Sequence, residues 1–479
     1  MTARTTKTTL KWGALATAAF VLAGCASVDM NQTLLDVNAS THATYAFTQG
    51  KLTLSRTEQQ QLARDKLASD LLAKPLSMDD AVQLALANSP AVQALLAQSW
   101  ADMAQAQQTG RIANPLFTFE RTTFASELEL NRLLSFGLLD LLLLPQKMAL
   151  SRGQMAQSKV QLSASVVEQV TQIRQAWVRA VAAQQSQAYA DQIKRTAEAS
   201  AELARRMQQV GNFNKLQRAR QQVFYADATA QLATSQHAAT ATREDLTRQL
   251  GLTDAQAAQL QLPERLPDLP KAAREALEVT ANASQQRLDV QMARHQLEMA
   301  GRSQNLNLLT SLVDVELGIR RDTVSDSAAG TRTPRKSYEL GIRLPLFDWG
   351  NAKRDAMNAQ SIAAANRYES TVRNASSQLR ESYSAYRTAY DVARHYRDEI
   401  VPLRKTMAEE NILRYNGMLI GVFELLADNR DQIASVIAAI NSYQQFWLAE
   451  AALSASMTGK PTNTMLSAPA MGSGEAAGH

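Results

Sequence analysis

The chain has 479 residues, 50 Lys and Arg against 45 Asp and Glu, and a single cysteine, so it is long enough for two or three ordinary domains and cannot be a disulfide scaffold. Hydrophobic residues make up 45% and aromatics 6%, while Gly (19) and Pro (12) are sparse, a balance of long helices and not of disordered chain. The net charge is only +5, with Lys and Arg spread thinly along the sequence, which argues against nucleic acid as a partner.

At the start of the chain Arg4, Lys7 and Lys11 precede an apolar stretch from Trp12 through Leu22, the pattern of a secretory signal peptide over residues 1–24. It ends in Leu22-Ala23-Gly24-Cys25, which resembles the bacterial lipobox, where the cysteine thiol takes a diacylglyceryl thioether and becomes the first mature residue. Ala26 in place of Asp implies, by analogy with bacterial lipoproteins, sorting to the outer membrane. The lipidated segment, residues 25–74, is polar and in part aperiodic.

Ser77 is placed to cap a helix, with Asp79 and Asp80 in its first turn, and apolar residues then recur at three and four (Val82, Leu84, Leu86, Val92, Leu95, Leu96), predicting helix from Met78 to about Ile112. Over about 115–144 the period becomes two: Leu116, Phe117, Phe119 and Phe124 lead into Leu128 and Leu130 alternating with Glu127, Glu129 and Asn131, and the run 138–144 reads as the end of a strand. Residues 147–210 contain one glycine and no proline, a helix that would reach about 95 Å. A further helix, roughly 213–250, would measure about 55 Å and the 78–112 helix about 50 Å, so the two laid end to end match the long one.

Pro263, Pro267 and Pro270 mark a linker, 263–270, after which the pattern of residues 75–262 is restated over 271–460: helix to about 309, hairpin at about 311–346, long helix from 352, shorter helix to 457. Pro90 falls opposite Leu288 and Gly211 opposite Met418, offsets of 198 and 207. Pro402, inside the second long helix, should kink or segment it. Residues 461–479, rich in Ser, Ala, Gly and Pro, read as a flexible tail.

The second hairpin alternates most clearly. Val313, Val315, Leu317 and Ile319 interleave with Asp314, Glu316, Gly318 and Arg320, and Tyr338, Leu340, Ile342 and Leu344 with Glu339, Gly341 and Arg343. Such strands are long enough to cross a bilayer when tilted, but four of them leave open edges and a polar face that hydrocarbon does not tolerate until a barrel closes, so one chain cannot make the pore. In a closed barrel Asp314, Glu316, Arg320, Glu339 and Arg343 line the lumen. Farther on, Glu424 and Asp428 stand four apart, hence on one helix face. His42, His237, His295, His395 and His479 are scattered, and neither a metal-ligand spacing nor a nucleophile motif accompanies them, so no catalysis and no metal is expected.

Three segments carry a family likeness: Leu76-Ser77-Met78-Asp79-Asp80-Ala81-Val82, Leu344-Pro345-Leu346-Phe347-Asp348-Trp349-Gly350, and Arg414-Tyr415-Asn416-Gly417. In this order, behind a lipobox and at repeat spacing, the chain resembles the TolC-like outer membrane factors (the outer membrane efflux protein family) of lipoprotein type. The resemblance implies a mainly α fold with a pair of β-hairpins, a homotrimer whose protomers each give four strands to a twelve-stranded transmembrane barrel, and helices continuing as a coiled-coil cylinder into the periplasm. It implies a passive exit duct in a Gram-negative outer membrane, fed by a periplasmic adaptor (membrane fusion) protein and an inner-membrane transporter of RND type or related. A type I secretion duct, or a lipid-anchored periplasmic scaffold without a pore, are the alternatives. It further implies a periplasmic gate at Tyr415, Glu424 and Asp428, although Ile420 and Ala427 depart from the family pattern, and adaptor contacts at the tips Val210, Gly211, Asn212 and Gly417, Met418, Leu419. No cofactor is implied beyond the lipid on Cys25.

Overall fold

The computed structural model describes residues 29–45, 51–125, 127–276, 287–312, 314–343, 347 and 349–461, without the side chains of 40–45, 305–314, 343 and 423. The signal segment, Cys25, Val313, Leu344 and the tail beyond Pro461 lie outside the described residues. The described residues are mostly helical with one small sheet. It divides into two compact units, one made of Met1–Asp36, Ala97–Lys159 and His295–Ala364, the other of Val37–Leu96, Val160–Arg294 and Ala365–His479.

The segment before Lys74, read as partly aperiodic, holds two helices, α1 (Met30–Tyr45) and α2 (Glu58–Leu72). Their signal is in the caps rather than in periodicity: Asp29 accepts from the Asn31 amide at 2.9 Å, and Thr57 forms a reciprocal capping box with Gln60. The single helix expected over 78–112 is two, α3 (Met78–Asn88) and α4 (Pro90–Thr109). Ser77 caps α3 through the Asp80 amide at 3.1 Å, as expected. The break follows from Pro90, whose ring disfavours helical backbone at the residue before it; Ser89 is extended at ψ 122°.

In the first unit β1 (Leu116–Phe124), β2 (Glu127–Gly137), β3 (Asp314–Asp326) and β4 (Thr331–Arg343) form an antiparallel sheet in the order β1-β2-β3-β4. β3 and β4 run 13 residues each, longer than their clean alternation, because Arg321–Asp326 and Thr331–Ser337 continue the ladder with polar residues on both faces. The stretch expected to end a strand is instead a short helix, α5 (Leu138–Leu142), followed by α6 (Leu144–Gln209). Gly137 ends the strand and Asp140 enters the first turn of α5, ion-paired with Lys147 at 2.5 Å.

The second unit takes most of α6 together with α7 (Lys215–Leu250), α8 (Asp254–Gln259), the start of α9 (Leu288–Leu312), most of α10 (Asn351–His395), α11 (Val401–Asn416) and α12 (Val422–Thr458). Pro402 segments the rod as expected: between α10 and α11 lies one π turn, Tyr396–Ile400, in which the Val401 amide reaches the Tyr396 carbonyl. The wider turn relieves the proline ring of the carbonyl four residues back. One core cluster joins Tyr386, Tyr390 and Phe446 with Leu269, Leu379 and Leu453. The proline linker is strapped to it, since Tyr390 Oη donates to the carbonyls of Pro270 (3.1 Å) and Lys271 (3.2 Å), and Trp447 Nε1 donates to Pro267 (3.1 Å).

The two halves make matching bonds. Trp177, 1% exposed, donates its indole N–H to the Leu76 carbonyl at 2.9 Å, and Tyr383 donates its hydroxyl to the Arg274 carbonyl at 3.2 Å. The two donors are 206 residues apart in sequence and the two acceptors 198.

Candidate functional site

Directly opposed residues of neighbouring strands share a face, so register sorts the sheet. Asp314 stands opposite Arg343, Glu316 opposite Gly341, Gly318 opposite Glu339 and Arg320 opposite Ser337, which puts all five expected lumen residues on one face. Others join them: Glu129 and Asn131, whose alternation already put them on a polar face of the first hairpin, and Glu120, Asp322 and Arg335, which sequence reading missed. Arg320 Nε donates to Asp322 at 3.0 Å. Asn131, buried between them, in the amide orientation that satisfies both its ends, donates to Asp322 (3.1 Å) and Glu129 (3.0 Å) and accepts from Arg320 (3.1 Å). These partners sit nearly 200 residues apart in sequence, so only the β2–β3 register brings them together. Counting Glu127 and Asp326 as well, carboxylates on this face clearly outnumber its arginines, Arg320, Arg335 and Arg343.

The two tips lie in the second unit and are built alike. After α6 the Gln208 carbonyl accepts from Gly211 (3.0 Å) and the Met207 carbonyl from Asn212 (2.9 Å); after α11 the Tyr415 carbonyl accepts from Met418 (3.0 Å) and the Arg414 carbonyl from Leu419 (2.8 Å). Gly211 supplies the left-handed residue of the first turn at φ 82°. In the second turn Gly417 has φ −79° and does not do the same; Met418, the residue opposite Gly211, is left-handed at φ 58°. Met418 is 94% exposed, Val210 and Leu419 are also exposed, and Phe213 and Ile420 turn inward at equivalent places. Beside the first tip Arg205 and Arg206 hold the Glu202 carboxyl down to about 2, so this charge cluster persists until the pH falls toward that value.

Glu424 and Asp428 lie in the first two turns of α12. Glu424 is the third helical residue, where its charge also complements the helix dipole. In the first half the same place is held by Gln217, in a capping box with Asn214, whereas Gly421 at the start of α12 has no side chain to cap with. Among the described residues neither carboxylate makes an ion pair, and no hydrogen bond joins either to Tyr415. Beside the apolar packing of Ile433 and Ile437 against Phe224 and Ala228, a polar contact the sequence did not point to joins α7 to α12. Arg430 donates to Gln221 Oε1 at 3.0 Å and to the Arg220 carbonyl at 3.4 Å, with its guanidinium 4.4 Å from the Phe224 ring centre. Burial pushes that guanidinium below its ordinary value. Arg430→Ala is expected to weaken the α7–α12 contact by about 1–2 kcal/mol, one hydrogen bond and one cation–π contact, read as earlier proteolysis or faster amide exchange around Gln221.

Among the described residues no helix is long and apolar enough to cross a membrane, and no group of His, Cys, Asp and Glu could hold a metal ion. Residues 279–409 match the outer membrane efflux protein family. No curated protein sequence matches the chain. Among solved structures, a membrane protein from Pseudomonas aeruginosa superposes with a TM-score of 0.66 at 19% identity, covering 79% of this chain and 93% of that one. CusC, described as forming a transmembrane channel, gives 0.67 at 15% identity over 82% and 94%, and the outer membrane protein VceC of Vibrio cholerae 0.65 at 14% over 80% and 96%. The chain is TolC-like in fold and carries the outer membrane efflux protein signature in its second half.

Proposed function

We propose that this TolC-like chain forms, as a homotrimer, the outer-membrane exit duct of a tripartite efflux system, anchored by lipid at Cys25 in a Gram-negative bacterium. It is a passive channel, fed by an inner-membrane pump of RND type or related through a periplasmic adaptor that meets the tips at Val210, Gly211, Asn212, Gly417, Met418 and Leu419. The observation that carries the reading is the open four-stranded sheet, with one face rich in carboxylates and both edge strands unpaired in the single chain. Three copies would close those edges and turn the charged face inward. Detergent-extracted protein should run as a heat-modifiable trimer and give single-channel conductance in planar bilayers. A monomer that never conducts would instead mark a periplasmic scaffold. Cys25→Ser is expected to abolish incorporation of labelled fatty acid, because the thioether needs the thiol, with a mild effect on transport, since a closed barrel holds the membrane without acyl chains. Label retained in that variant would sink the anchor.

A further inference from the structure

Every carboxylate of the four strands lies on the face of Glu316, and the opposite face, that of Val315, carries none. On that second face the rows nearest the helices are apolar, the last being Phe117, Leu134, Ile319 and Tyr338 across the four strands. The next row toward the strand turns changes character: Phe119 is followed by Arg132, Arg321 and Lys336 in direct register. Arg121 and Arg332 stand one and two rows nearer the turns on the same face.

Three cations opposite one another on adjacent strands are about 5 Å apart at Cβ, and like charges so placed destabilise a sheet. Among the described residues nothing on that face offsets them. Arg132 reaches only the Thr323 hydroxyl at 3.5 Å, and among the described residues Arg321 and Lys336, both exposed, make no ion pair. An anion shared by the row would offset the repulsion, and guanidinium groups suit phosphate oxygens through paired hydrogen bonds. The apolar rows next to the cations fit the acyl chains of the same molecule, with the arginine stems lying along them and the charged heads turned toward the polar layer.

We infer that Arg132, Arg321 and Lys336 bind the phosphate groups of a lipid in the membrane leaflet nearer the strand turns, Arg121 and Arg332 adding to the field. The inference rests on the reading of this sheet as part of a transmembrane barrel.

Full-length protein in neutral detergent, titrated with bis-phosphorylated lipid A, with phosphate-free lipid A and with sodium phosphate, tests it by native mass spectrometry, the same samples being checked for channel conductance. Wild type should hold the phosphorylated lipid at least about tenfold more tightly than the phosphate-free one. Combined Arg132→Gln, Arg321→Gln and Lys336→Gln should erase that preference. Arg335→Gln, on the carboxylate face, should keep it, which separates lost contact from a damaged sheet. Equal binding by wild type and the triple variant would overturn the inference, as would equal loss in Arg335→Gln, and displacement of the lipid by sodium phosphate would reduce the row to a simple anion site. A protein that conducts but shows no preference for phosphate refutes this inference alone, whereas one that never conducts refutes the duct reading beneath it.

Discussion

Gly251→Ala is expected to destabilise the helical unit by about 2–5 kcal/mol. Gly251 ends α7 in the left-handed region at φ 66°, which costs an alanine about 1–2 kcal/mol. An added Cβ would stand 2.4 Å from Pro90 Cδ and 2.6 Å from Ser89 Cα, and backbone and a proline ring yield little, so overpacking adds roughly 1–3 kcal/mol. The close approach is fixed by Asn88, whose buried side chain donates to the Gly251 carbonyl at 3.0 Å. The second half repeats the arrangement: Gly459, at φ 90°, would place a Cβ 2.9 Å from the Leu288 amide, and Leu288 is the residue opposite Pro90. Gly211 is the comparison, since it is left-handed at φ 82° but has nothing within 4 Å of its Cβ position, so Gly211→Ala should cost only about 1–2 kcal/mol. Thermal unfolding of the two variants measures the difference. Equal losses for Gly251→Ala and Gly211→Ala would mean that backbone conformation, and not the helix junction, is what requires glycine.

Features set by neighbours in sequence were legible. The Ser77 cap, the interruption of the helix near Pro402, the reversal at Gly211 and the alternation of Val315 to Ile319 all rest on one residue type or a short period. The Ser89–Pro90 break follows the same local logic but is masked by apolar spacing that runs on across it, from Leu86 to Val92. What no single segment carries is register. Alternation tells which residues of one strand share a face, but the turn length and the β2–β3 pairing decide which residues of the four strands meet. Thus Asn131 bridging Glu129, Asp322 and Arg320, and the row Arg132, Arg321 and Lys336, emerge only from the sheet. In sequence those cations are thinly spread, so composition hides a basic row that pairing assembles. Arg430 is similar, one arginine among many until α12 packs it over Phe224.

The remaining large effect concerns ion selectivity, where two sets of carboxylates act at different widths. In a trimeric duct the charged face of the sheet lines a wide lumen, while Glu424 and Asp428, on one face of α12, would gather six carboxylates near the axis at the gate. Screening separates the two. The Debye length is about 10 Å at 0.1 M salt and about 3 Å at 1 M, so charges on the wall of a wide lumen act on the permeating ion only at low salt. Charges at a constriction stay within a few ångströms of it at either concentration, where a unit pair is worth on the order of 1 kcal/mol even in water. Glu339→Gln should therefore lower the cation preference at 0.1 M and leave it unchanged at 1 M. Combined Glu424→Ala and Asp428→Ala should lower it at both, with the cation-to-anion permeability ratio falling roughly three- to tenfold, and should weaken block by divalent cations. Both variants should assemble as wild type, since among the described residues neither Glu424 nor Asp428 takes part in an ion pair and Glu339 lies on the exposed edge strand β4. Reversal potentials in asymmetric salt at the two concentrations measure the effect. A double variant as selective as wild type at 1 M would place Glu424 and Asp428 away from the axis and leave the gate to other residues.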